Sequence, residues 1–385
     1  MKDFKNYLLE SLNKNQLWIL NQAVENSDIL DGDDVHIDNA IQYLKQSIYF
    51  RGFLEILDKK GLNRLREKIF NIKDPVQKSH ITSLYKLFKG GSENGIISGN
   101  ELINKLDGES SMRFEDLLID QFKERGEDFN IYKKDMGYLL NILSTEKYLV
   151  KGKPMGPCEV LLRLLISDSY DNADTKSDIY YGNGGEIEVK FLNNQQNMNS
   201  ENDVKVNSDT CLFGTASTIK DLDVNSYLLY FLAYNFKNGN NNKIDENRVI
   251  DIIDDHNKEE LGKRFTWQAK IKNGFIDEYQ EVKDKNPDKD EDYIIKKTTR
   301  IIKDNLEKVE KSIMTTFNNY LNGKNEIIFY SSTENDILNS RIILLNSENL
   351  KDWNTFTDFL RENEIDIYGI SSGHFRFTTI KNSRY

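Results

Sequence analysis

The chain is best read outward from Asp178-Ile-Tyr-Tyr-Gly-Asn-Gly-Gly-Glu-Ile-Glu-Val-Lys190. Its centre, Gly182-Asn183-Gly184-Gly185, supplies the residues that tolerate the positive φ of a tight hairpin turn. The spacing predicts two strands, over 177–181 and 186–192. Along the second, Glu186, Glu188 and Lys190 alternate with Ile187, Val189 and Phe191. Side chains alternate faces in a strand, so one face is apolar and the other carries two carboxylates and an ammonium. On the first strand Asp178 and Tyr180 share a face. Asp178 and Glu188 are ten residues apart, an even separation. They sit opposite each other only across a turn with an odd number of loop residues. Three residues with a glycine bulge satisfy that condition.

Two carboxylates brought together repel unless a cation neutralises them. Mg²⁺ (or Mn²⁺) prefers oxygen ligands and is commonly held by one or two carboxylates plus waters. Such an ion lowers the pKa of its bound water and stabilises charge on a phosphoryl oxygen. A lysine two residues on, on the same face, can orient that water or steady the phosphorane. A carboxylate facing a carboxylate-x-lysine on a hairpin is therefore sufficient machinery for metal-assisted phosphodiester hydrolysis.

At these residues the sequence resembles the PD-(D/E)XK nuclease superfamily, over roughly residues 150–240. Asp178 and Glu188-Val189-Lys190 carry the likeness, and Gly156-Pro157-Cys158-Glu159 opens a helix that resembles the glutamate-bearing helix of many members. The resemblance implies a restriction-endonuclease-like mixed-sheet core and a DNA substrate. It implies metal held by Asp178, Glu188 and Val189, with Glu159 as an auxiliary or orienting ligand, and Lys190 assisting the nucleophilic water. It also implies the order helix, strand with Asp, hairpin, strand with Glu-x-Lys, then a buried strand, expected at 227–234. Two departures stand out. Ser177 precedes Asp178 where proline or glycine is usual, and Glu186 adds a third carboxylate that could replace Glu188. The plainer reading makes Glu186, Glu188 and Lys190 a solvated face whose cross-strand pairs are worth a few tenths of a kcal/mol. In that reading Glu159 is a first-turn acid favoured by the helix dipole and paired with Arg163.

Outward from the hairpin, residues 1–149 read as a helical accessory domain and 150–385 as the core, giving an α/β (α+β) class. Helical spacing of apolar residues recurs at Phe4/Leu8/Leu9/Leu12, Ile41/Leu44/Ile48 and Leu62/Leu65/Ile69. Ser98 with Glu101 has capping-box spacing. Residues 89–95 and 151–157 read as loops, and 158–166 as a helix. One apolar stripe, Ile295, Thr299, Ile302, Leu306, Val309 and Ile313, predicts a long helix over 293–317, with Lys296, Lys297, Arg300, Lys303, Lys308 and Lys311 on its other side. Strands are expected at 326–331, 341–345, 365–370 and 375–380, with a helix at 350–362.

Composition sets the limits. The 385 residues are 38% hydrophobic and 30% charged, with 52 Lys+Arg against 63 Asp+Glu and a net charge of −11. Bulk electrostatics cannot hold nucleic acid on such a surface, so contact needs a local basic face, a metal or a partner. No apolar run approaches the roughly 18 residues of a membrane span, and no signal peptide is evident, so a cytoplasmic location is expected, with no membrane partner. Two cysteines, Cys158 and Cys211, and four scattered histidines exclude a disulfide framework and a His-based zinc enzyme. Few prolines beside many Asn, Lys and Ile read as AT-rich coding of the kind common in phages. Two alternatives stand beside the nuclease reading: a non-catalytic virion or packaging protein, and a dimeric restriction endonuclease. Residues 1–149 are a possible docking surface for a protein partner, and the oligomeric state stays open.

Overall fold

The computed structural model describes residues 34–89, 95–109, 111–144, 148–150, 153–170, 177–193, 222–254, 267–321, 323–331, 337–371 and 374–379. Phe4–Leu12 and Cys211 lie outside them. Among these residues the chain is mixed α/β, with twelve helices and a six-stranded sheet. Contacts divide it into two compact units, Met1–Val189 with Ile337–Asn339, and Lys190–Asp336 with Ser340–Tyr385. The division falls within a strand, whereas the sequence changes character near residue 150.

The described part of the first unit opens with helices α1 (Asp34–Lys59), α2 (Asn63–Phe70) and α3 (Pro75–Phe88). Asp74 caps α3 by accepting from Val76 N, with Pro75 at the first helical position, where its missing N–H costs nothing. Ser98 Oγ accepts from Glu101 N at 3.3 Å and so starts α4 (Gly99–Glu109), as its spacing predicts. Then come β1 (Ser111–Arg113), α5 (Phe114–Glu124), a 3₁₀ turn at Phe129–Ile131 and α6 (Lys133–Ser144). Phe53, Phe88, Phe114, Phe122 and Phe129 are fully buried among these helices. Residues 151–157, expected as a loop, include a strand. β2 (Tyr148–Val150) pairs antiparallel with β3 (Lys153–Met155). Pro154 is tolerated there because a two-stranded ribbon has an outer edge that needs no donor. Helix α7 (Pro157–Leu165) follows, then β4 (Ser169–Tyr170), β5 (Ile179–Tyr181) and β6 (Gly185–Asn193). β4, β5 and β6 form an antiparallel meander.

β6 carries the chain into the second unit, where α8 (Leu222–Lys237) replaces the buried strand expected at 227–234. Tyr227, Leu228, Leu229, Phe231, Leu232, Ala233 and Phe236 are all buried, over about two thirds of the helix circumference, with Tyr230 and Tyr234 partly buried on the rest. A continuous apolar run has no periodicity to separate strand from buried helix, and the helix formed here is 16 residues long, longer than a usual strand. Next come α9 (Glu246–Asp254), α10 (Trp267–Lys285) and α11 (Glu291–Leu321). Ile295, Ile302, Leu306, Val309 and Ile313 are buried along α11 as the stripe predicts, while Lys296, Arg300, Lys303 and Lys308 are exposed beside Asp304 and Glu307. That outer side is thus a mixed-charge surface. β7 (Asn325–Ser331) and β8 (Arg341–Leu345) pair antiparallel, with Ile327, Ile328, Phe329, Ile342, Ile343 and Leu344 buried on both faces. Helix α12 (Trp353–Glu362) and the hairpin β9 (Ile365–Ser371) and β10 (His374–Thr379) complete the unit. Phe317, Trp353, Phe356, Phe375 and Phe377 interlock there as edge-on and tilted rings.

Asp352 caps α12, accepting from Thr355 N at 2.8 Å, and this bond holds its carboxyl below the usual carboxylate range. Asp352→Ala is expected to cost about 1 kcal/mol at neutral pH. A depressed pKa means that the stabilisation is full above the ordinary aspartate value and is lost as pH falls through the lowered one. Melting of wild type and variant from pH 7 to 3 should show a constant gap down to about pH 4, closing below it.

Candidate active site

The hairpin is built as its turn chemistry requires. Tyr181 pairs with Gly185, Tyr180 with Glu186, and Ile179 with Ile187, leaving Gly182-Asn183-Gly184 as a three-residue loop. Gly182 has φ of 51° and Gly184 of 101°, conformations that side chains disfavour. Glycine is required on steric grounds at two further positions. A Cβ on Gly185 would lie 2.3 Å from the Tyr181 ring, and one on Gly99 would lie 2.0 Å from it. The buried ring is therefore clasped between the start of α4 and the start of β6.

The paired register ends at Ile179–Ile187, and Asp178 lies in a bend one residue before β5, outside the strand expected over 177–181. The main chain fixes it: Val189 N donates to Asp178 Oδ2 at 2.9 Å. Ile179, Ile187 and Val189 are buried on the opposite face, whereas Asp178, Glu186, Glu188 and Lys190 are half-buried. Lys190 follows Glu188 on the same face of β6, by strand alternation. Glu186 is placed differently from Glu188: it pairs with Tyr180, and Ser177 Oγ donates to its Oε2.

Glu159 is the third residue of α7, after Gly156 at the N-cap and Pro157. Its Oε1 would stand 3.3 Å from a Cβ on Gly156, so the carboxylate lies close to the start of its own helix. Cys158 beside it is fully buried, and burial, then the Glu159 charge, push its thiol well up. A desolvated thiol of that kind is inert as a nucleophile. Among the described residues, no three His, Cys, Asp or Glu side chains converge where they could hold a metal ion. Glu159 is thus not gathered with Asp178 and Glu188 into a three-ligand cluster. The Asp178 and Glu188 carboxylates and the Val189 carbonyl, the one metal-binding group that residue owns, are oxygen donors of the kind that Mg²⁺ prefers.

Sequence reading gave no sign of what braces the hairpin from behind. Lys60, only 3% exposed, donates to Ile166 O at 2.5 Å, Ser167 O at 2.9 Å and Ser169 Oγ at 2.8 Å. Its ammonium sits at the carbonyl end of α7, where the helix dipole favours a cation, and ties that end to β4. Asp168 Oδ1 accepts from Gly99 N at 2.8 Å, joining the same turn to α4. These partners lie more than 65 positions apart in sequence, which leaves no local pattern to read.

Compared with protein-family models, curated proteins and solved structures, the chain matches none.

Proposed function

We propose that the chain is a metal-dependent nuclease that hydrolyses DNA phosphodiester bonds, with Asp178 and Glu188 holding Mg²⁺ or Mn²⁺. The observation that carries this reading is the hydrogen bond from Val189 N to Asp178 Oδ2, which ties Asp178 to β6 next to Glu188, with Lys190 two residues on from Glu188 along the strand. The order of elements also supports it: α7 with Glu159, the β4–β5–β6 meander, helix α8, and β7 hydrogen-bonded to β6. The PD-(D/E)XK resemblance implies the helix and the hairpin in this order, while helices α8 to α11 stand between β6 and β7 where a buried strand was expected at 227–234. When bound, the ion would lower the pKa of a water and offset the charge gathering on the scissile phosphate. Asp178, aimed by the Val189 amide, and Glu188 would hold it. The Lys190 ammonium would donate to a phosphate oxygen or orient the attacking water, and its charge would favour the dianionic phosphorane over the monoanionic diester. Glu159 would act from the helix start as an orienting carboxylate. The helices of the first unit would offer a docking surface for a protein partner, and the activity would be cytoplasmic.

Incubation of plasmid, single- and double-stranded DNA oligonucleotides and RNA with the full chain, in Mg²⁺ and in EDTA, tests this. Mg²⁺-dependent cleavage of DNA is expected. No cleavage of any substrate, with stable co-purifying protein partners, would favour a non-catalytic assembly role.

A further inference from the structure

Glu186 and Glu188 stand on the same face of β6, and cross-strand pairing separates their roles. Asp178 is tied to β6 by the Val189 amide, next to Glu188, whereas Glu186 is opposite Tyr180. Two residues along a strand span about 7 Å, while oxygens on one Mg²⁺ each lie about 2 Å from it. The Glu186 carboxylate also has a structural partner, because Ser177 Oγ donates to its Oε2 at 2.5 Å. Ser177 is buried, and its main-chain N donates to the Tyr180 hydroxyl at 3.2 Å. Tyr180 is itself buried, so the three groups form one small network across the hairpin. The chain is therefore held at two points immediately before Asp178, and immediately after it by the Ile179–Ile187 pair. Between those anchors the Asp178 carboxylate is aimed at the Val189 amide.

We infer that Glu186 is a positioning residue: with Ser177 and Tyr180 it fixes the bend that aims Asp178, and Glu188 alone of the two strand glutamates serves as a metal ligand. This rests on the nuclease reading and assigns the roles within its site. Glutamine separates the two roles. Its amide oxygen still accepts the Ser177 hydroxyl, but it lacks the charge that a metal ligand supplies.

The test is cleavage as a function of Mg²⁺, with Mn²⁺ binding to the full chain followed by electron paramagnetic resonance. Glu186→Ala and Ser177→Ala should each lower kcat about tenfold, the scale of lost supporting contacts, with the half-saturating Mg²⁺ moved less than about threefold. Glu186→Gln should recover most of that loss, and Glu188→Gln should lose both cleavage and Mn²⁺ binding. A Glu186→Gln variant that raises the Mg²⁺ requirement about as much as Glu188→Gln overturns the assignment while leaving the nuclease reading intact. So does a Ser177→Ala variant with wild-type kcat. If wild type binds Mn²⁺ without cleaving, the Mn²⁺ affinities of the two glutamine variants decide alone. If wild type neither binds Mn²⁺ nor cleaves, the nuclease reading falls and the assignment falls with it.

Discussion

Asp178→Asn should reduce Mg²⁺-dependent DNA cleavage by about 10³-fold, because the metal ligand it removes supports several kcal/mol of transition-state charge stabilisation. The substitution is nearly isosteric, and the asparagine amide oxygen can still accept from Val189 N, the bond that holds Asp178 at 2.9 Å. Folding should therefore be preserved, with circular dichroism and melting close to wild type. Lys190→Ala should cost about 10²-fold, the scale of removing one donor to a developing oxyanion. The two losses should be far from additive, since both act on one step. If wild type cuts and both variants cut equally well, the active site lies elsewhere.

The largest stability effect is expected at Lys60, on the other side of the same scaffold. Its ammonium has three donors and three oxygen partners, Ile166 O, Ser167 O and Ser169 Oγ. Lys60→Met keeps the apolar stem and removes every one of those bonds, leaving Ile166 O with the 3.3 Å bond from Ser169 N and Ser167 O without the ammonium. Hydrogen bonds from a charged group and stranded acceptors together put the cost at about 3 kcal/mol. For a unit of this size that corresponds to a fall of about 6–12 °C in its melting transition. Because β4 is the strand that Lys60 anchors, and β4 pairs with β5 next to Asp178, the variant should also cut less well near its new transition. A melting shift below about 2 °C would show that the clamp is dispensable.

What the sequence made legible was local. The Gly182–Gly185 turn chemistry, the parity of the Asp178–Glu188 spacing and the α11 stripe all depend on residues within a few positions of one another, and each corresponds to an element in the fold. Tyr227–Tyr234 misled because a nearly continuous apolar run carries no clear period, and its burial comes from α10, α11 and β9 packing around it. α9 and α10 went unread, since Glu246–Asp254 buries only Val249 and Trp267–Lys285 buries only three residues, leaving weak stripes. Lys60 was invisible for a different reason. Its partners are 106 to 109 positions away, and nothing about an isolated lysine announces burial. Within the site, the sequence named Glu188 and left Glu186 as its alternative, and Glu186 is the one with Tyr180 opposite and the Ser177 hydroxyl on its carboxylate.

The net charge of −11 bears on the same point, because Asp178, Glu186, Glu188 and Glu159 contribute to it. A cation between Asp178 and Glu188 would offset part of that charge where a polyanion has to approach. Anomalous diffraction from crystals of the full chain soaked in Mn²⁺ tests this most directly. A peak is expected about 2 Å from a carboxylate oxygen of each residue, with the Val189 carbonyl on the same ion. No peak at that position, with the two carboxylates turned apart, would contradict it.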